Sequence, residues 1–173
     1  VPMIRAMKDL AAEDARWAWT YDQFSGVGKS GARAKGAKSP QLRADLAARI
    51  CFERGSMWEG AGEPAKAWTS YSEVIDRFAN QGPFVVEAAS RCEKLLEREA
   101  KPAQDAINLY AKAWGKVTKP APGTSPEFLA ASNFVRLGAR YATLLDRAGR
   151  DADADRVRKA LPIAPKPKPP QGG

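Results

Sequence analysis

Residues 48 to 83 read ARICFERGSMWEGAGEPAKAWTSYSEVIDRFANQGP, and the spacing inside this stretch decides the fold. Gly55, Trp58, Gly62, Ala67 and Tyr71 follow one another at steps of three, four, five and four residues across a short break. Small residues at such positions let two helices approach closely, and the aromatic rings fill the space between that pair and the next. A helical hairpin of this kind cannot bury its own apolar stripe, so neighbours must stack on it. The same grammar returns around Ala106 and Tyr110 and, more weakly, around Gly149 and Ala154. It predicts a scaffold that holds another molecule and names no reaction.

The run Gly55, Trp58, Gly62, Ala67, Tyr71 resembles the tetratricopeptide repeat, whose motif sets a small residue, an aromatic, a turn glycine, an alanine and a second aromatic at these intervals. A second copy, LLEREAKPAQDAINLYAKA, has Leu96 at the first aromatic position with Ala106 and Tyr110 after it, one residue too long in the turn. In the third, RYATLLDRAGRDADADRVRKAL, Leu145, Gly149 and Ala154 are in place and Arg158 stands where the family prefers an aromatic. The copies cover residues 48 to 161. The resemblance implies an all-α, right-handed stack of antiparallel helical hairpins, a TPR-like α-solenoid with one extra N-terminal helix. It further implies a non-enzymatic protein-protein interaction module, a scaffold or accessory subunit of a larger assembly. Family geometry puts the binding groove on the first helix of each hairpin, at Arg49, Phe52, Ser56, Arg91, Lys94, Arg136 and Thr143. Four of these are cationic, which suits an acidic or phosphate-bearing peptide. The family's lysine and asparagine clamp for a terminal carboxylate is not reproduced, because Phe52 and Glu53 occupy its places in the first copy.

Composition agrees with a helical domain. A chain of 173 residues normally makes one domain, here residues 1–161, followed by a tail at 162–173. Alanine is abundant and the longest β-branched run is FVV at 84 to 86. No apolar stretch reaches the length needed to cross a bilayer, so the expectation is a soluble protein. The chain opens at Val1, consistent with a removed targeting segment or a trimmed terminus; cytoplasmic and exported, periplasmic locations both stay open.

Periodicity predicts about seven helices. The first covers residues 2 to 24, with Met7, Leu10, Ala11, Trp17 and Tyr21 on its stripe. Residues 25–39, SGVGKSGARAKGAKS, break the pattern with four glycines and predict an exposed loop. Helices follow at 40–60, 63–80, 83–99 and 102–116, then one long helix at 125–147 and a last one at 151–161. Cys51 and Cys92 fall on first helices of consecutive hairpins, about one turn out of step; two buried free thiols and one stapling disulfide are both open. The proline-rich end, PIAPKPKPPQGG, reads as extended.

Charge is concentrated. Lys29, Arg33, Lys35, Lys38 and Arg43 lie in one acid-free stretch, and Arg156, Arg158, Lys159, Lys166 and Lys168 in another. Against a net charge of +8, the remainder carries 18 basic and 20 acidic residues, so the positive potential belongs to loop and tail. Lys29, Arg33, Lys35 and Lys38 are candidate electrostatic contacts for an acidic protein surface, with RNA, DNA or an anionic membrane as the weaker readings. A nucleic-acid accessory protein is the alternative function, yet no aromatic interleaves with these cations to stack on bases.

Catalytic patterns are sparse. GVGKSG at 26 to 31 resembles the end of a phosphate-binding loop, but the full pattern needs glycine where Gln23 stands and a strand before it. The chain has no histidine, which removes the usual imidazole base and histidine-bearing zinc sites, and no metal or organic cofactor is expected. A small helical lytic enzyme acting through Glu59 or Glu73 is a further alternative, with no second carboxylate placed opposite either. Five tryptophans are many for this length. Trp17 and Trp19 sit two apart on one helix, so both cannot face one core, and they form a candidate apolar interface for a complex or a homo-oligomer.

Overall fold

The computed structural model describes the backbone of residues 2–25 and 40–162, and the side chains of residues 9–21 and 44–162. Among the described residues the protein is all-α, with eight helices and no strand: α1 (Pro2–Ser25), α2 (Pro40–Gly60), α3 (Pro64–Arg77), α4 (Phe84–Arg98), α5 (Ala103–Lys116), α6 (Pro126–Ala131), α7 (Asn133–Arg147) and α8 (Asp151–Ala160). None of the described helices is long and apolar enough to cross a membrane. The glycine-rich segment, with Lys29, Arg33, Lys35 and Lys38, lies outside the described residues, as does the tail beyond Pro162.

The helical-repeat character is carried by three turns with one hydrogen-bond pattern. After α2, Gly62 N–H donates to Glu59 and Glu63 N–H to Trp58. After α4, Ala100 donates to Glu97 and Lys101 to Leu96; after α7, Gly149 donates to Asp146 and Arg150 to Leu145. In each turn the first donor has a left-handed backbone, φ 73° at Gly62, 50° at Ala100 and 70° at Gly149, which is the geometry that closes a helix on its own last carbonyls. The three acceptors Trp58, Leu96 and Leu145 are the residues aligned from sequence. Pro64, in the first turn of α3, needs no amide partner there.

The chain divides into two compact units, Val1–Lys101 and Pro102–Gly173. In the first, α1 packs on α2, α2 on α3 and α3 on α4, while α4 also returns to α2. Its core is Ala47, Ala48, Ile50, Cys51 and Trp58 of α2, Ala67, Tyr71, Val74 and Ile75 of α3, and Val85, Ala88, Ala89, Cys92 and Leu95 of α4. Cys51 and Cys92 are both buried thiols and are not joined by a disulfide. Tyr71 is fully buried because Gly55 makes room for it: a Cβ on Gly55 would stand 2.5 Å from the ring. In the second unit α7 is central, packing on α5, α6 and α8 around Leu137, Ala142, Leu144 and Leu145. There Gly138 has the same duty, since its Cβ would meet Leu161 at 2.5 Å and the Trp114 indole at 2.8 Å.

The contacts do not confirm a uniform stack of three antiparallel hairpins: α2 with α3 and α7 with α8 pack across their turns, and within the second unit α5 packs on α7. One expectation changes. The single helix expected at 125–147 is two, broken at Ser132. The Ser132 backbone is extended, its hydroxyl donates to Leu129 O at 2.8 Å, and it accepts the Val135 amide at 3.3 Å. A serine side chain that competes for backbone partners in this way caps the next helix and ends the previous one.

Two substitutions test this packing. Gly55→Ala should cost about 1 to 3 kcal/mol by overpacking Tyr71, while Gly60→Ala, with open space around it, should leave urea-unfolding midpoints nearly unchanged. Ala100→Gly should raise stability by up to about 1 kcal/mol, because alanine carries the left-handed cost that glycine avoids; a lower melting temperature would contradict the turn geometry.

Candidate functional site

The polar groups with the most defined geometry converge on Glu59, near the end of α2. The Tyr71 ring occupies the space left by Gly55, which delivers its hydroxyl to Glu59 Oε2 at 3.0 Å and to the Ser56 hydroxyl at 3.2 Å. From α4, Arg98 Nη1 donates to Glu59 Oε1 at 2.9 Å and Arg91 Nη1 approaches Oε2 at 3.4 Å. Arg91 also reaches Glu87, one turn earlier on its own helix, at 3.3 Å. The Glu59 side chain is only 9% exposed, so its charge is stabilised by two guanidiniums and a phenol in place of water. On the same side, Phe52 lies 5.5 Å from Tyr71 and 5.7 Å from Phe84, joining the three helices by ring contacts.

Of the groove residues expected from sequence, the structure brings Phe52, Ser56 and Arg91 together around Tyr71 and Glu59. Arg49 is exposed and pairs with Glu53 at 3.7 Å. Lys94 is exposed and makes no ion pair among the described residues. Arg136 and Thr143 belong to α7 in the second unit, where Arg136 is exposed and the Thr143 hydroxyl donates to Ala139 O at 3.0 Å. The groove cations thus differ in kind: Arg91 is committed to carboxylates of its own chain, and Lys94 is not.

A second polar cluster fastens α1. Asp14 accepts two bonds from the Arg54 guanidinium, one at 2.9 Å, and one from the Trp58 indole at 3.0 Å. The Arg54 hydrogen bonds are the main reason the Asp14 carboxyl sits below its ordinary range, against a desolvation that pushes the other way. Lys66 stands 4.2 Å over the Trp58 ring. Further along α1, Tyr21 donates to Glu73 at 2.6 Å, and Arg77 contacts both. Burial, then the Glu73 hydrogen bond and charge, raise the Tyr21 phenol; burial, then the Glu73 charge, push the Cys51 thiol up to about 12. A thiol so raised stays protonated and is a poor nucleophile. Trp17 is half-buried with its indole nitrogen enclosed and unpartnered, and Trp19 is 66% exposed.

Glu59 and Glu73, the carboxylates singled out for a lytic site, are both engaged across helices, Glu59 with Tyr71, Arg91 and Arg98 and Glu73 with Tyr21. Sequence reasoning missed Arg98 and Tyr21 as their partners. It also missed Phe128, which stands 74% exposed on α6 beside a shallow groove lined by Lys119, Pro120 and Thr124. No group of three or more potential metal ligands occurs among the described residues. No family model matches the chain, and neither a curated protein nor a solved structure is similar to it.

The protonation states give a stability profile. Burial, the largest cause, and the Glu59 hydrogen bond push the Tyr71 phenol from 10.0 to about 12, while the Ser56 hydroxyl works against them. Cys51 moves from 9.0 to about 12. The folded chain holds these protons at pH values where the unfolded chain has released them, so their stabilisation is complete below pH 9 and declines as pH rises toward 12. Urea unfolding followed between those limits should show a falling midpoint, with a shallower fall in Cys51→Ala, which lacks one of the groups.

Proposed function

We propose that this chain is a non-enzymatic protein-interaction module of tetratricopeptide-like build, acting as a scaffold or accessory subunit. The single observation carrying this reading is the commitment of its best-placed ionisable groups. Glu59, Tyr71, Arg91 and Arg98 satisfy one another across α2, α3 and α4. A general acid or base has to exchange protons near neutral pH, and a phenol pushed up to about 12 beside a doubly paired carboxylate is built to keep its proton. What such an arrangement supplies is a fixed surface. Phe52 and Phe84 line one part of it, α4 adds the exposed side chain of Lys94, and the exposed ring of Phe128 adds a separate apolar contact in the second unit. Aromatic and cationic groups of this kind dominate binding energy at protein interfaces.

Support from the repeat comes from the three turns. Their shared hydrogen bonds at Trp58, Leu96 and Leu145 agree with the copies aligned on the tetratricopeptide motif. The partner this favours presents acidic and apolar groups together.

Affinity capture from the native source with wild type, Lys94→Glu and Phe128→Ser tests the reading. Both side chains are exposed, so helical content should stay constant while at least one variant loses a stably captured protein, with about tenfold weaker affinity on titration. Identical capture by all three chains, or turnover of a substrate that Glu59→Gln abolishes in a still-folded protein, would overturn it.

A further inference from the structure

Helix α1 has two dissimilar sides. Toward α2 it turns Leu10, Asp14, Trp17, Ala18 and Tyr21, all half-buried. The opposite side carries Asp9, Ala12, Arg16 and Trp19, spaced by three, four and three residues, with Glu13 along one edge, and every one of them is exposed. A three-four-three spacing keeps these side chains on one face of the helix, here with charged Asp9 and Arg16 alternating with Ala12 and Trp19. Inside, the charges of α1 are matched, as Asp14 is by Arg54. Outside, Asp9, Glu13 and Arg16 make no ion pair among the described residues, and Trp19 projects with 66% of its surface free. Along the flank of α1, Asp9, Ala12, Glu13 and Arg16 border a shallow concavity together with the half-buried Trp17 and Thr20.

We propose that a second copy of this chain docks on this outer face of α1, the two α1 helices running antiparallel about a two-fold axis. The charge order on the seam is self-complementary only in that direction. Both acids, Asp9 and Glu13, precede Arg16, so reversing the second helix sets Arg16 of each copy against Glu13 of the other. The same register lays each Trp19 over Asp9 and the small Ala12 of the other copy, where alanine leaves room for the ring and the carboxylate can take the indole N–H. A parallel pair would stack like charge on like charge. A two-fold contact satisfies each complementary pair twice, which is why one self-complementary patch suffices for a dimer. A seam of three turns buries less than the roughly 1,200 Å2 of the smallest stable interfaces, so the association is weak, with Kd on the order of 100 μM. This names one partner of the interaction module proposed above and rests on the α1 seam alone.

Sedimentation equilibrium on the full chain, up to about 1 mM, tests it with Arg16→Glu and Glu13→Arg. Wild type should dimerise, and more weakly as salt is raised. Each variant alone sets like charges face to face and should raise Kd at least about tenfold. An equimolar mixture of the two restores both opposite-charge pairs and should return Kd to near the wild-type value. Trp19→Ala should weaken wild-type association to a similar degree with helical content unchanged. A wild type that stays monomeric, variants that dimerise as before, or a mixture no stronger than its components would each overturn the proposal. Loss of the dimer with capture of other proteins retained removes this inference and leaves the interaction module standing; a dimer with no other partner does the reverse.

Discussion

The absence of a side chain at Gly55 is the constraint from which the first unit follows. Tyr71 fits against α2 only because ring carbons stand where a Cβ would be, 2.5 Å away. That approach brings α3 onto α2 and sets the depth at which the phenol hydroxyl ends, within hydrogen-bond reach of Ser56 and Glu59. With the phenol donating to one oxygen, Glu59 can be almost wholly removed from water, and Arg98 and Arg91 of α4 close around it. One glycine thereby converts a small-residue contact between two helices into a polar junction among three. A second glycine, Gly138, gives Trp114 and Leu161 the same kind of access to α7 in the other unit.

Charge inside the first unit contributes orientation. Burying an ion pair is seldom a large net gain, since desolvation offsets most of the attraction, but removing one partner leaves the other exposed to a poor environment. Asp14 with Arg54 and Trp58, and Tyr21 with Glu73 and Arg77, therefore select one placement of α1 from the several that a half-buried stripe would permit. Glu59 does the same for α4. Arginine suits these positions because its fork can meet two acceptors at once, as Arg91 does with Glu59 and Glu87.

That economy decides which groups are left exposed. Carboxylates near the core are occupied, and the groups left over stand outside: Lys94, Arg136, Trp19, Phe128 and the charges along the back of α1. The polar groups around Glu59, Asp14 and Glu73 within the first unit satisfy one another, while the indole N–H groups of Trp17 and Trp114 stay enclosed without a partner.

The sequence by itself determined the helices and their turns. Apolar spacing located six of the eight helices to within a few residues and ran the other two, α6 and α7, together, and the left-handed closures at Gly62 and Gly149 were legible because their hydrogen bonds span only five positions. Local chemistry also concealed two features. Ala100 closes its turn without the expected glycine, and Ser132 breaks a helix through its side chain while the apolar period runs on unchanged. Tertiary structure alone decided the partners of the charges. Arg54 finds Asp14 across 40 residues, Arg98 finds Glu59 across 39 and Tyr21 finds Glu73 across 52. Glu59 and Glu73 could be read from sequence as free acids for that reason, since helix periodicity reports which face a side chain occupies and carries no information on which distant chain segment will arrive opposite it.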